Sequence, residues 1–151
     1  MADVFNEAKR SAVMSKVRSS GNKSTELKLI KLLKSAGIIG WRRNYPVRGR
    51  PDFVFIKHRV AVFVDGCFWH GHDCRNTRPS SSSDYWERKR ERNIQNDIKV
   101  TNLFRTRGWT VLRIWECELK KSNEAATLEK ITLALDICII KTKMNCSVGI
   151  Q

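Results

Sequence analysis

Apolar residues recur along this chain with two different periods, and the periods divide it into elements. Leu27, Ile30, Leu33 and Ala36 repeat at helical spacing. Ser24 or Thr25 stands ready to cap their first turn, and Gly37 sits where a helix stops, which predicts a helix over residues 26–36. Two short β-branched and aromatic runs follow, residues 53–56 and 60–64, separated by the polar Lys57, His58 and Arg59. That pattern predicts an antiparallel hairpin. A third strand is expected over residues 110–115 after Gly108. Before it, Asp84 and Glu87 form a capping box that opens a long basic helix over residues 85–107. Leu128, Ile131, Leu135 and Ile139 lie on one face of a last helix, residues 124–141. The order α-β-β-α-β-α describes one α/β domain spanning residues 1–151 with a small mixed β-sheet flanked by helices. Residues 1–21, carrying Lys9, Arg10, Lys16 and Arg18, are expected to form a mobile DNA-contacting arm, and residues 142–151 a flexible tail.

Charge narrows the class of partner. The chain has 29 Lys and Arg against 15 Asp and Glu, a formal net charge of +14 over 151 residues. The basic residues interleave with tryptophans in mid-chain, which favours a nucleic acid, bound through phosphate contacts and counterion release. No apolar run approaches the roughly 20 residues of a membrane span. The start of the chain lacks a charged segment leading into an apolar one, so a cytoplasmic location is expected.

Three groups of residues carry candidate chemistry. If Lys57 to Arg59 form the hairpin turn, Asp52 opposes Val64 and Asp65 follows at the same end of the sheet. A carboxylate, a neighbouring backbone oxygen and a second carboxylate are ligands that Mg²⁺ prefers. Such an ion can activate water against a phosphodiester. By spacing alone, Asp52 opening a strand and Asp65-Gly66 closing one would look the same. Arg48 and Arg50, guanidiniums beside the acid, favour a phosphate-bearing substrate.

The second group is a cluster of two cysteines and two histidines within residues 67–74, with Cys117 beyond the third strand. Thiolate and imidazole are the usual zinc ligands, and Cys67, His72, Cys74 and Cys117 make the favoured set for one structural Zn²⁺. His70 is then left as a general acid or base. Cys138 and Cys146 are expected to pack or stay free, and His58 has no assigned role.

The third group is aromatic. Trp109 and Trp115 read as core. Phe68, Trp69 and Trp86 lie in a loop and at a helix start among Arg75, Arg78, Arg88, Lys89 and Arg90, which suits side chains that stack on or wedge between bases. A Trp86 turned inward beneath a solvated charged face is the alternative.

Gly49-Arg50-Pro51-Asp52-Phe53-Val54, then Val62-Phe63-Val64-Asp65-Gly66-Cys67-Phe68-Trp69-His70, then Trp86, Asn93 and Asp97, then Gly108-Trp109 and Trp115-Glu116-Cys117 together closely resemble the very short patch repair (Vsr) endonucleases. The resemblance runs in order from about Lys9 to Lys120. It implies a restriction-endonuclease-like fold and a strand-specific nick 5′ to the thymine of a T:G mismatch left by deamination of 5-methylcytosine. By position it implies Asp52 and the Val64 carbonyl as Mg²⁺ ligands, His70 as the catalytic histidine and Glu26 as a helix acid near the active site. It implies Zn²⁺ on Cys67, His72, Cys74 and Cys117, and an aromatic wedge of Phe68, Trp69 and Trp86. Arg48, Arg50, Lys89 and Asn93 would serve DNA binding. The partners implied are T:G-mismatched duplex, a cytosine-5 DNA methyltransferase through function, and mismatch-repair proteins, the enzyme acting as a monomer. The best-known member has Thr-His where this chain has Val64-Asp65, which leaves Asp65 as a ligand for a further ion or a base. A non-catalytic mismatch-binding module and a restriction or antiphage nuclease of the same fold are the competing readings.

Overall fold

In the computed structural model, which describes residues 25–74 and 83–147, a four-stranded sheet runs in the order β1-β2-β3-β4. The expected arm, the arginines Arg75 and Arg78, and the last four residues lie outside the described residues. The strands are β1 (Trp41–Arg43), β2 (Phe53–Phe55), β3 (Val60–Asp65) and β4 (Thr110–Trp115). The first three are antiparallel, whereas β3 and β4 are parallel and joined by the long helix α2 (Ser83–Thr106). Helices α1 (Glu26–Ser35) and α3 (Glu124–Ser147) complete a mixed α/β domain.

Side-chain alternation explains the layering. Phe53, Phe55, Val60, Val62, Leu112 and Ile114 form one core with α1 residues Leu29, Leu32 and Leu33 and α3 residues Ile131 and Ala134. The opposite face carries Val54, Ala61 and Phe63, packed on Phe104 of α2 with Val100, Trp109 and Val111. Both sheet faces are therefore covered, as parallel pairing requires. Fully burying a side chain such as Phe53 or Ile114 contributes about 1.5–3 kcal/mol. Among the described residues no helix is long and apolar enough to cross a membrane.

Three expectations change. The core face of α1 is Glu26, Leu29, Leu32 and Leu33, while Leu27 and Ala36 face solvent. The buried residue at the start of that stripe is an acid, so a purely apolar count picks the wrong phase. The hairpin is closed by a 3₁₀ turn, Ile56–His58, and by Arg59 at φ 51°, so Phe55 pairs with Val60 and Phe53 with Val62. Continuing that register sets Asp52 opposite Phe63, one step from the expected Val64, because the turn holds four residues and not three. Finally, β1 lies between residues 37 and 53, where no element is expected, and α3 runs to Ser147, past its expected end at Lys141.

The loop between β1 and β2 is pressed onto α2. Gly49 has φ +97°, and a Cβ there would meet Val100 Cγ1 at 2.8 Å, so only glycine fits between Arg48 and Arg50 where the loop leads into Asp52 and β2.

Candidate active site and metal centre

Asp52 stands just before β2, after the buried Pro51. Its Oδ2 accepts a hydrogen bond from the Val64 backbone N–H at 2.7 Å, so the expected meeting of Asp52 with the Val64 backbone occurs through the side chain despite the shifted register. Burial raises the Asp52 carboxyl to about 6; the Val64 hydrogen bond opposes the rise and the nearby Glu26 and Asp65 add to it. Glu26 is buried and pairs with Arg43, Nη2 to Oε2 at 2.5 Å. Asp52 and Glu26 line a cleft of about 730 Å³ together with Asn44, Tyr45, Arg48 and Arg50. Two carboxylates and two guanidiniums lining one cleft suit a hard divalent cation and a phosphate, since such a cation offsets first the burial and then the neighbouring negative charge that hold Asp52 up.

His70 lies at the far end of β3, in the turn whose His70 N–H donates to the Gly66 carbonyl at 3.2 Å. Its Nδ1 is 2.5 Å from Asp97 Oδ2 on α2 and 3.9 Å from Asp65 Oδ1. Burial opposes protonation of His70, but Asp97 and Asp65 outweigh it and raise its pKa above the ordinary value. Asp65 is buried and accepts from Arg113 Nη1 at 2.5 Å. Burial pushes its pKa up against the pull of Arg113 and His70. The strands set this meeting: Phe63 lies beside Arg113 and Asp65 beside Trp115 in the parallel register, so Asp65 and Arg113 share the sheet face that α2 covers.

Cys67, His72, Cys74 and Cys117 present ligand atoms all within 4.8 Å of one another. Bonds of about 2.3 Å to sulfur and about 2.0 Å to nitrogen at tetrahedral angles put such a pair about 3.5 Å apart. Cys117 Sγ lies 3.6 Å from His72 Nδ1. The His72 ring stacks on Trp115, centroids 4.4 Å apart and planes at 8°. Asn123 Nδ2 donates to the Cys117 carbonyl at 2.9 Å and steadies the other side. Burial raises the Cys67 and Cys117 thiols above their ordinary values, a cost that a cation at the cluster removes. Donor set and spacing fit a four-coordinate metal.

Phe68, Trp69 and Trp86 form one half-buried aromatic group, with centroids 4.9 Å (Phe68 to Trp69), 5.7 Å (Phe68 to Trp86) and 5.8 Å (Trp69 to Trp86) apart. Tyr85, not singled out in the sequence, joins it at 5.0 Å from Trp86. Lys89 Nζ sits 5.6 Å from the Trp69 ring centroid, and Asn93 Nδ2 donates to the Trp69 carbonyl at 2.8 Å. Both residues expected to meet DNA thus also hold the aromatic group to α2. Trp115 is a half-buried platform for His72, and Trp109 packs on Phe104. Arg113 was missed. A charged residue inside the apolar strand Thr-Val-Leu-Arg-Ile-Trp was its signal.

Buried acids, an acid-backed histidine and a Cys/His cluster lie around a mixed sheet beside a basic helix, an arrangement that suits a DNA-acting hydrolase. The profile described as DNA mismatch endonuclease Vsr matches residues 2–76. The chain is 37% identical over 132 residues to the type II nicking enzyme V.NmeAIP of Neisseria meningitidis, covering 87% of this chain and 92% of that protein. It is 34% identical over 137 residues to the DNA mismatch endonuclease Vsr of Escherichia coli, covering 90% and 86%. Against the type II nicking enzyme V.XorIIP of Xanthomonas oryzae the identity is 38% over 120 residues, covering 79% and 88%. The chain belongs to the Vsr family of DNA mismatch endonucleases.

Proposed function

We propose that this endonuclease, on a restriction-endonuclease-like fold, nicks one strand of duplex DNA on the 5′ side of the thymine in a T:G mismatch. The mismatch arises where a partner cytosine-5 methyltransferase has made 5-methylcytosine that later deaminates, and mismatch-repair proteins would work alongside. The enzyme would act as a cytoplasmic monomer. The observation that carries the reading is that Asp65, at the end of β3, acts on the Asp52 carboxyl beside Glu26 and lies 3.9 Å from His70, which Asp97 backs at 2.5 Å.

Asp52 and the Val64 carbonyl would hold Mg²⁺. When bound, the ion would polarise the scissile phosphate and lower the pKa of a water beside it. Asp97 engages His70 Nδ1, which leaves Nε2 to exchange a proton with the reacting oxygens. As water oxygen bonds to phosphorus, one ester P–O bond breaks, and the departing oxygen takes up a proton. Arg48 and Arg50 line the cleft and would bind the phosphates on either side. Zn²⁺ on Cys67, His72, Cys74 and Cys117 would tie the loop after β3 to the end of β4. That loop carries Phe68 and Trp69, which with Trp86 would wedge into the unstacked mismatch. Lys89 and Asn93 would brace the wedge and meet the backbone.

The test is strand-specific cleavage, with Mg²⁺, of paired duplexes carrying T:G or C:G in varied flanking sequence, with Asp52→Ala alongside. A nick beside the T:G thymine alone, lost in Asp52→Ala, is the expected result. Cleavage of both duplexes would assign a restriction-type nuclease, and tight binding with no product in any context a mismatch-binding module.

A further inference from the structure

Asp65, His70 and Asp97 bring one ligand atom each to within 4.8 Å of the others, the donor set of a further cation site. Arg113 already lies against two of them. Its Nη1 donates to Asp65 Oδ2 at 2.5 Å, its Nη2 lies 3.2 Å from Asp97 Oδ1 and 3.3 Å from the Asp97 carbonyl, and its Nε is 3.3 Å from Thr101 Oγ1. The guanidinium carbon stands 4.8 Å from the centre of the Phe63 ring, and the Arg113 carbonyl accepts from Lys130 Nζ at 2.8 Å. Each edge of the guanidinium is occupied, and both the strand and the helix that face it hold it in place. A divalent ion among the three residues would sit a few ångströms from a fixed positive charge, a repulsion made costly by the low dielectric around Asp65.

We infer that Arg113 is the positioning residue of the active site: it fills the place of a second cation, clamps Asp65 and Asp97, and through Asp97 sets the orientation of His70. Asp65 is then an anchor for Arg113 and not a metal ligand or a base. Catalysis runs with the divalent ion at Asp52 alone. The flat fork suits this task, since it bridges two carboxylates in fixed geometry where a lysine would offer one point charge. The inference rests on the proposed nuclease chemistry for its rate readout only.

The experiment uses the zinc-loaded full chain and compares Arg113→Met, Asp65→Asn and the double variant. Arg113→Met keeps an unbranched apolar side chain beside Phe63 and removes the guanidinium. The double variant removes both charges together and so guards against misfolding caused by a stranded buried carboxylate. Single-turnover nicking by Arg113→Met should fall about 100-fold, as expected for a misplaced catalytic group, with duplex affinity unchanged. The double variant should be no slower than the slower single one. Imidazole nitrogen NMR should show His70 held with its Nδ1 proton toward Asp97 in the wild type and losing that single state in Arg113→Met. Mn²⁺ titration should find the same number of ions in wild type and Asp65→Asn, with an extra weak site opened in Arg113→Met. An ion lost in Asp65→Asn would overturn the inference, as would a parallel fall in rate and duplex affinity in Arg113→Met, which marks a phosphate contact. An unchanged rate would overturn it too. If the wild type nicks no T:G duplex, the proposed function fails, while the Mn²⁺ and NMR readouts still decide the role of Arg113.

Discussion

The imidazole of His72 lies flat on the indole of Trp115, and the residue that ends β4 thereby orients the histidine that the loop after β3 contributes to the Cys/His cluster. Stacking fixes the ring plane and leaves Nδ1 facing Cys117 Sγ. Supports of this kind typically change metal affinity by about 10–100-fold when removed. Trp115→Leu should therefore weaken zinc binding by about tenfold in a chelator competition, with the fold kept. Cys117→Ser should lose the metal outright and melt at lower temperature. Zinc content unchanged in Cys117→Ser would take that residue out of the cluster.

The carboxyl of Asp52 is raised to about 6 by burial, with Glu26 and Asp65 adding to it. The proposed Mg²⁺ would need the carboxylate, so its affinity should be level above pH 6 and fall by about tenfold per unit below it. For the metal-free protein the sign is the reverse of an ordinary ion-paired acid. The folded state holds this proton more tightly than the unfolded chain, so the stability that Asp52 contributes is fully present below pH 3.8 and lost as pH rises through 6. Asp52→Asn should remove that slope from the melting temperature between these values. Mg²⁺ affinity that stays flat through this range would detach the ion from Asp52.

Removing Trp69 should impair mismatch discrimination more than overall duplex binding. The ring packs on Phe68 and Trp86 and carries Lys89 beside it, whereas affinity from a chain of net charge +14 comes mainly from phosphates. In Trp69→Ala the ratio of T:G to C:G affinity should drop by about tenfold, near the 1–3 kcal/mol typical of one base stack. Competition binding with the two duplexes measures it, and equal losses on both would argue against a wedge.

What the sequence disclosed follows from how local each signal is. Three of the four cluster residues lie within residues 67–74, and the same four residues meet in the fold. Strands β2, β3 and β4 were legible because their apolar runs are bounded by turn residues. β1 has three residues, two of them arginines, too few for a period to show. The α1 face was misread because Glu26 occupies a core position, and Arg113 because its partners, Asp65 and Asp97, are 48 and 16 residues away in sequence. Ion pairs inside a core leave no period. They show only as a charge in an apolar run.

Glu26 itself offers a last test of that kind. Its carboxylate is buried at the start of α1, where Arg43 from the edge strand β1 reaches it at 2.5 Å while remaining 28% exposed. Removing the cation takes the Arg43 counter-charge from a buried acid, and a broken buried pair costs more than its intact form contributes. Arg43→Met should therefore destabilise the fold by about 2 kcal/mol, below the usual range for buried pairs because one partner is partly solvated. Adding Glu26→Gln should recover much of the loss, since the buried charge disappears with it. Urea unfolding of the two variants measures both values. If the double variant is as unstable as Arg43→Met, the guanidinium's contact with Phe53, its carbon 5.9 Å from the ring centre, and not the pairing with Glu26, is what binds β1 to α1.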